Sequence, residues 1–241
     1  MLKKFTYKII NRLTTYIENN INIKSIYTSQ RHLAFKDSQE FIYKNSALNT
    51  LTFSDHFELR EHCITNCTKD GMLFEFGVFK GKSINFLSKK LLKQNDKRTI
   101  YGFDSFEGFS EQWSGVDKLY GERFHDQKKK LPQVENNVKL IPGYIENSLE
   151  NFLIDNKVEK VSFIHIDTDT YSPAKVVLSL LKPFIKKGSI ILFDELCGYP
   201  NWRSHEYKAL KEVFNEDDYE YIGFAQSHPQ ANLIKAAIRM L

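Results

Sequence analysis

From Gly71 onward, short apolar runs alternate with stretches of helical periodicity, whereas polar residues dominate the chain before it. The first run, Met72-Leu73-Phe74-Glu75-Phe76, closes at Gly77. Ile84, Leu87 and Leu91 then recur at a spacing that puts them on one face of a helix. Further runs are Thr99–Phe103 before Asp104, Val138–Ile141 before Pro142, Val161–Ile166 before Asp167, and Ser189–Phe193 before Asp194. Between the last two, Ser172 as N-cap and Pro173 as first helical residue predict a helix whose buried stripe is Val176, Val177, Leu180, Leu181 and Phe184. Tyr207, Leu210, Val213 and Phe214 predict another helix, and Tyr219–Phe224 and Ala231–Met240 two last strands. Strands alternating with amphipathic helices indicate an α/β domain built on a mostly parallel sheet. Residues 1–70 carry only patchy helical periodicity and predict a helical extension or lid, with the α/β domain occupying residues 71–241.

The strand ends carry the first chemical signal. Asp104, Asp167 and Asp194 directly follow three of the runs, and Glu75 stands two residues before Gly77. Ligands of open parallel sheets bind outside the carboxyl ends of the strands, so these acids should gather along one rim. Asp at a strand end also serves as a turn or cap residue. Four acids at corresponding positions beside a glycine turn favour a site.

That turn reads Glu75-Phe-Gly77-Val-Phe-Lys-Gly81-Lys-Ser83. Glycine permits tight turning and close approach to a ligand, and the helix that follows offers free N–H groups. A nucleoside triphosphate would call for GxxxxGK[ST], and one residue is missing between Gly77 and Gly81. A dinucleotide would call for GxGxxG, which is absent. S-adenosylmethionine (SAM) has no pyrophosphate to cradle, and Asp104 stands where an acid accepts hydrogen bonds from ribose hydroxyls.

Bulk properties narrow the field. A length of 241 residues suits one α/β domain with added elements. A net charge of +4 is too modest, and too unclustered, for a nucleic-acid surface, and Lys128-Lys129-Lys130 reads as a solvated loop. The three cysteines form no disulfide framework or zinc spacing, which fits a cytoplasmic protein. The opening MLKKFTYKIINRL lacks the apolar core of a signal peptide, and no run is apolar over the ~18 residues of a membrane span.

Four segments taken in order, EFGVFKGKS (75–83), YGFDSFEGF (101–109), IHIDTDTYS (164–172) and IILFDEL (190–196), resemble the successive motifs of the macrocin O-methyltransferase (TylF-like) family of class I SAM-dependent methyltransferases. The resemblance covers residues 70–240. It implies a Rossmann-like fold with a seven-stranded sheet of order 3-2-1-4-5-7-6, last strand antiparallel, and helices on both faces. It implies SAM as donor, a sugar or glycoside hydroxyl as acceptor, and Mg²⁺. By position, Glu75, Gly77, Gly81, Ser83, Asp104, Ser105, Phe106 and Asp167 would form the SAM site. Asp167, Asp194 and Glu195 would bind the metal, and Asp169 would be the general base. Glu195 departs from the family's usual Asp and would shift the ion.

Methyl transfer to a hydroxyl needs the acceptor held in line with the donor and its proton removed. Asp167 and Asp169, two apart on extended backbone, point to one side, and carboxylates gathered with Asp194 and Glu195 would repel one another without a cation. His165 is a second candidate base or a core histidine. Tyr199 and Trp202 are candidates to stack on a sugar face, with His205 beside them. A catechol-type acceptor and a P-loop-like nucleotide enzyme are the alternatives. Contact between copies of the chain through the N-terminal region is a further expectation.

Overall fold

The computed structural model describes residues 12–14, 26–108, 126–227 and 232–241. The elements in order are α1 (Ile26–Asn45), β1 (Leu51–Phe53), α2 (His56–Asn66), β2 (Met72–Phe76), α3 (Lys82–Lys93), β3 (Ile100–Asp104), β4 (Val138–Pro142) and α4 (Ile145–Asp155). They continue with β5 (Val161–Ile166), α5 (Tyr171–Leu181), β6 (Ile185–Cys197), α6 (Glu206–Val213), β7 (Tyr219–Gln226) and β8 (Ile234–Met240). The expected strand start at Ala231 lies outside the described residues.

The strands form one sheet in the order β1-β7-β8-β6-β5-β2-β3-β4. β8 runs antiparallel to β6 and β7, and every other pairing is parallel. Without β1 this is the expected seven-stranded order. β1 is an addition from the stretch read as helical: it extends the edge beyond β7, pairing Leu51 with Gly223 and Phe53 with Ala225. With only three residues, it is too short to show a period.

The central strands are covered on both faces, and so read as continuous apolar runs rather than alternations. Alternate residues feed two cores: Phe74, Phe76, Phe103, Ile164 and Ile166 go to one face, and Leu73, Ile100, Phe163, Ile190 and Leu192 to the other. α3 buries Ile84, Leu87 and Leu91 as its spacing predicts. α5 begins at Tyr171, with Thr170 at the N-cap position, so Ser172 and Pro173 fall inside the helix. Of the expected stripe, Val177 and Leu181 are buried and Val176, Leu180 and Phe184 half-buried, while Pro173, Ala174 and Leu178 complete the buried face.

α1 is docked, not free. Phe41 packs at 5.1 Å from the Trp202 ring and 5.4 Å from Tyr207. Ser38 Oγ accepts the Gly198 N–H at 2.8 Å. Asp37 accepts from Trp202 Nε1 at 3.0 Å and from Arg203 Nη2 at 3.0 Å. Lys128–Lys130 are exposed, as a solvated loop should be.

Candidate active site

The glycine turn after β2 is wedged between the ends of β3 and β5. Gly77 donates its N–H to the Phe103 carbonyl at 2.8 Å, and Asp167 donates to the Phe76 carbonyl at 2.8 Å. Gly77 has φ +91°, and a Cβ there would lie 1.8 Å from the Asp167 carbonyl oxygen. Only glycine fits both the conformation and the space. Gly81, at φ +76°, opens α3 in the left-handed region.

Asp104 ties this turn to the next. Its Oδ2 accepts the N–H groups of Val78 and Phe79 at 2.8 and 2.7 Å, and its Oδ1 accepts that of Phe106 at 2.6 Å. A carboxylate has about four acceptor positions, so little capacity remains here for the two ribose hydroxyls expected of it. The same bonds spend the turn N–H groups that a P-loop would aim at phosphate, which removes the P-loop reading. Ser105 Oγ accepts from Glu107 N at 3.1 Å and donates to Gly108 O at 3.0 Å, so it builds its own turn. The Phe106 ring sits in the core with Val78 and Ile84 rather than on the open rim.

Beneath the turn lies a buried chain of charge. His165 is fully buried on β5, with Nδ1 2.9 Å from Glu75 Oε2 and Nε2 3.1 Å from Asp194 Oδ1. Burial pulls the imidazole pKa down, but hydrogen bonds to Asp194 and Glu75 outweigh it and hold the group at about 9. His165 is therefore a fixed imidazolium with both nitrogens engaged, and has no lone pair to serve as a base. Arg60, buried on α2, donates Nη2 to Asp194 Oδ1 and Nε to Ser83 Oγ at 3.1 Å. Lys235, buried on β8, donates to Asp194 Oδ2 and to the Asp194 carbonyl at 3.1 Å. Burial raises the Asp194 pKa, yet Arg60 and Lys235 overcome it and hold this carboxylate well below the usual range.

A second group of carboxyls lies beside this chain. Asp167 is half-buried at the tip of β5, and Asp169, Glu195 and Glu206 are buried. Burial first, then mutual repulsion, raises the pKa of Asp167, Asp169 and Glu206 well above the ordinary value. Asp169 and Glu195 interact side chain to side chain, and burial raises the pKa of both. Asp169 sits at φ +61°, a left-handed conformation that Asp tolerates better than most residues, so the backbone is not extended there, where the sequence predicts that it is. Glu195 Oε2 and Glu206 Oε1 are buried without a hydrogen-bond partner.

The loop after β6 places its aromatics unequally. Tyr199 and His205 lie 5.9 Å apart, ring to ring. Burial and the nearby Glu206, Glu195 and Asp169 raise the Tyr199 hydroxyl well above its ordinary pKa. Tyr199 therefore borders the carboxyl group, with His205 beside it. Trp202 does not: it is 2% exposed, sandwiched against Phe41 and Tyr207, with its N–H spent on Asp37. It anchors α1 and has no free face for a sugar. Arg60 and Lys235 escaped sequence reasoning. Lys235 left a trace, as a lone charge inside the apolar run Leu233–Ile238; Arg60 left none.

His165, Asp167 and Asp194 bring potential ligand atoms within 4.8 Å of one another. The arrangement does not suit a divalent ion. Asp194, which would anchor it, already carries Arg60, Lys235 and His165 on its two oxygens. His165 is committed to two carboxylates. Glu195, an expected ligand, faces Asp169 instead.

The strand order, the antiparallel β8, the glycine turn after β2 and the acids at the tips of β3, β5 and β6 define a Rossmann-like class I methyltransferase. The chain belongs to the methyltransferase domain family, whose model matches residues 74–196, just over half its length. That family implies SAM as the methyl donor, and the glycine turn stands at the carboxyl end of β2, where ligands of such sheets bind. The chain is similar in fold to CalS11, a TDP-rhamnose 3'-O-methyltransferase of calicheamicin biosynthesis, at 20% identity and TM-score 0.52, covering 97% of this chain and 93% of that one. It is similar to the O-methyltransferase NovP at 17% identity and TM-score 0.52, covering 76% and 78%. It is also similar to an O-methyltransferase from Bacillus cereus, solved with S-adenosylhomocysteine (SAH), at 12% identity and TM-score 0.50, covering 95% and 97%. A comparison with curated protein sequences gives no significant match. Among the described residues, no helix is long and apolar enough to cross a membrane.

Proposed function

We propose that this chain transfers the methyl group of SAM to a hydroxyl of a sugar, free, glycosidic or nucleotide-linked. The observation that carries the reading is the buried Asp169–Glu195 carboxyl pair, set at the tips of β5 and β6 beside the glycine turn that Gly77 packs onto Asp167. The sugar-modifying activity of CalS11, a protein of the same fold, supports it.

SAM supplies a methyl group already activated on a sulfonium. Gly77 and Gly81 let the turn pass close to the donor, while Asp104 fixes the turn's shape. Asp167, on the tip of β5, faces the donor and acceptor. Asp169 is the general base. With Asp169 in its ionised form, the hydroxyl proton passes to its carboxylate as the oxygen–methyl bond forms and the sulfur–methyl bond breaks, and burial among other acids makes that carboxylate a stronger base than a solvated one. Glu195 holds that carboxyl in place. Tyr199 and His205 border the acceptor. His165 is a positioning residue that fixes Glu75 and Asp194, not a base. Magnesium, which the resemblance implies, is not part of this reading, because the carboxylate that would anchor it is neutralised from within the protein.

The test is transfer from methyl-labelled SAM to a panel of nucleotide sugars, simple glycosides and catechols. Label on a sugar hydroxyl is the expected result. Label on catechols alone would replace the sugar reading with the catechol one.

A further inference from the structure

Asp194 receives two side-chain cations from opposite ends of the chain. Arg60 comes from α2 and Lys235 from β8, and both are almost completely buried. A buried lysine is costly unless its charge is met by a partner and its protons by acceptors. Here the ammonium takes both the Asp194 carboxylate and the Asp194 carbonyl. Lys235 reaches them because the β6–β8 register shifts between Phe193 and Cys197, which opens the ladder opposite Asp194. Arg60 is as fully engaged: besides Asp194 and Ser83 it donates Nη1 to His56 Nδ1 at 2.9 Å. A cation pair built with this many partners, from separate elements, is a structural feature of the site and not a surface contact.

We propose that Lys235, seconded by Arg60, is a built-in replacement for the divalent cation at the rim, so that this chain binds no metal at Asp194. The inference rests on the methyltransferase reading of the same site. An ion held at about 2.1 Å from an Asp194 oxygen would sit against both the ammonium and the guanidinium. Like charges at that range repel strongly in a water-poor site. The protein cations do for Asp194 what the ion would do: they neutralise and orient it. Lys235 is a positioning residue that acts through Asp194.

The test is Mn²⁺ binding, followed by electron paramagnetic resonance, on the full-length protein saturated with SAH. The wild type should show no saturable binding up to ~1 mM. Lys235→Met keeps the length and removes the charge, and it should gain a site of one Mn²⁺ per chain. Lys235→Arg restores a cation and should abolish that site again. Stoichiometric Mn²⁺ binding by the wild type, lost in Asp194→Asn, would overturn the proposal even if Lys235→Met failed to fold. So would a folded Lys235→Met that binds no more Mn²⁺ than the wild type. SAH titration of the same samples separates the two readings. Loss of SAH binding strikes at the methyltransferase site, whereas Mn²⁺ binding with SAH intact strikes only at the built-in cation.

Discussion

Gly77 and Asp167 are packed so that no side chain fits between them: a Cβ on Gly77 would lie 1.8 Å from the Asp167 carbonyl oxygen. The contact joins the turn proposed to cradle the donor to the strand tip proposed to face the acceptor. Gly77→Ala should therefore cost roughly 3 kcal/mol or more, since φ strain and a backbone clash add, and SAH binding should be lost. Gly143→Ala is the comparison, because Gly143 also has positive φ but a Cβ there meets nothing closer than 3.9 Å. It keeps the φ strain, on the order of 1–2 kcal/mol, without the clash. Urea denaturation of both variants checks the difference, and equal losses would mean that φ, not the Asp167 contact, governs.

Asp169→Asn removes the proposed proton acceptor and keeps its size. Turnover on the sugar acceptor should fall by about 10²–10⁴. Affinity for SAH, measured by calorimetry, should stay within threefold. A variant with unimpaired turnover would remove Asp169 from the base role. In the wild type, turnover should climb with pH beyond the ordinary carboxylate range, because Asp169 must lose its proton first and its pKa is raised.

The His165 imidazolium makes stability depend on pH. Its pKa is raised from 6.5 unfolded to about 9 folded, so its contribution is fully present below pH 6.5 and is lost as pH rises through about 9. The shift corresponds to an advantage on the order of 3 kcal/mol. The half-buried Asp167 and the buried Asp169 and Glu206, also raised, weaken the fold in the same direction as pH rises. The comparison is therefore with His165→Gln, which retains those acids. Denaturant curves from pH 6 to 10 should show the wild type's advantage over the variant shrinking across the upper half of that range. A constant gap would contradict the charged form of His165.

Trp202 holds α1 through Phe41 and Asp37. Trp202→Ala should lose about 3–5 kcal/mol, the range for truncating a large buried aromatic. Hydrogen exchange should rise in Ile26–Asn45 before the central strands. A variant of unchanged stability with a raised acceptor KM would restore Trp202 to a sugar-stacking role.

Much of the fold was legible because parallel strands buried on both faces leave continuous apolar runs, and Met72–Phe76 and Val161–Ile166 coincide with their runs to the residue. β1 escaped because three residues carry no period. α5 was placed two residues late because Ser172-Pro173 resembles a helix opening, while the N-cap position belongs to Thr170. Of the site, the acids could be read because each sits at a strand end. Their partners could not: Arg60 approaches from a helix 134 residues away along the chain, and Lys235 from a strand 41 residues away.

The sequence alone determined the chemistry available at the rim, since strand periodicity places Asp104, Asp167, Asp194 and the glycine turn at the same end of one sheet. Only the tertiary structure decided how those groups are charged. A carboxylate's state depends on which side chains reach it and on how much water is excluded. Packing of α2, β5 and β8 around Asp194 turned an expected metal ligand into one member of a buried ion cluster.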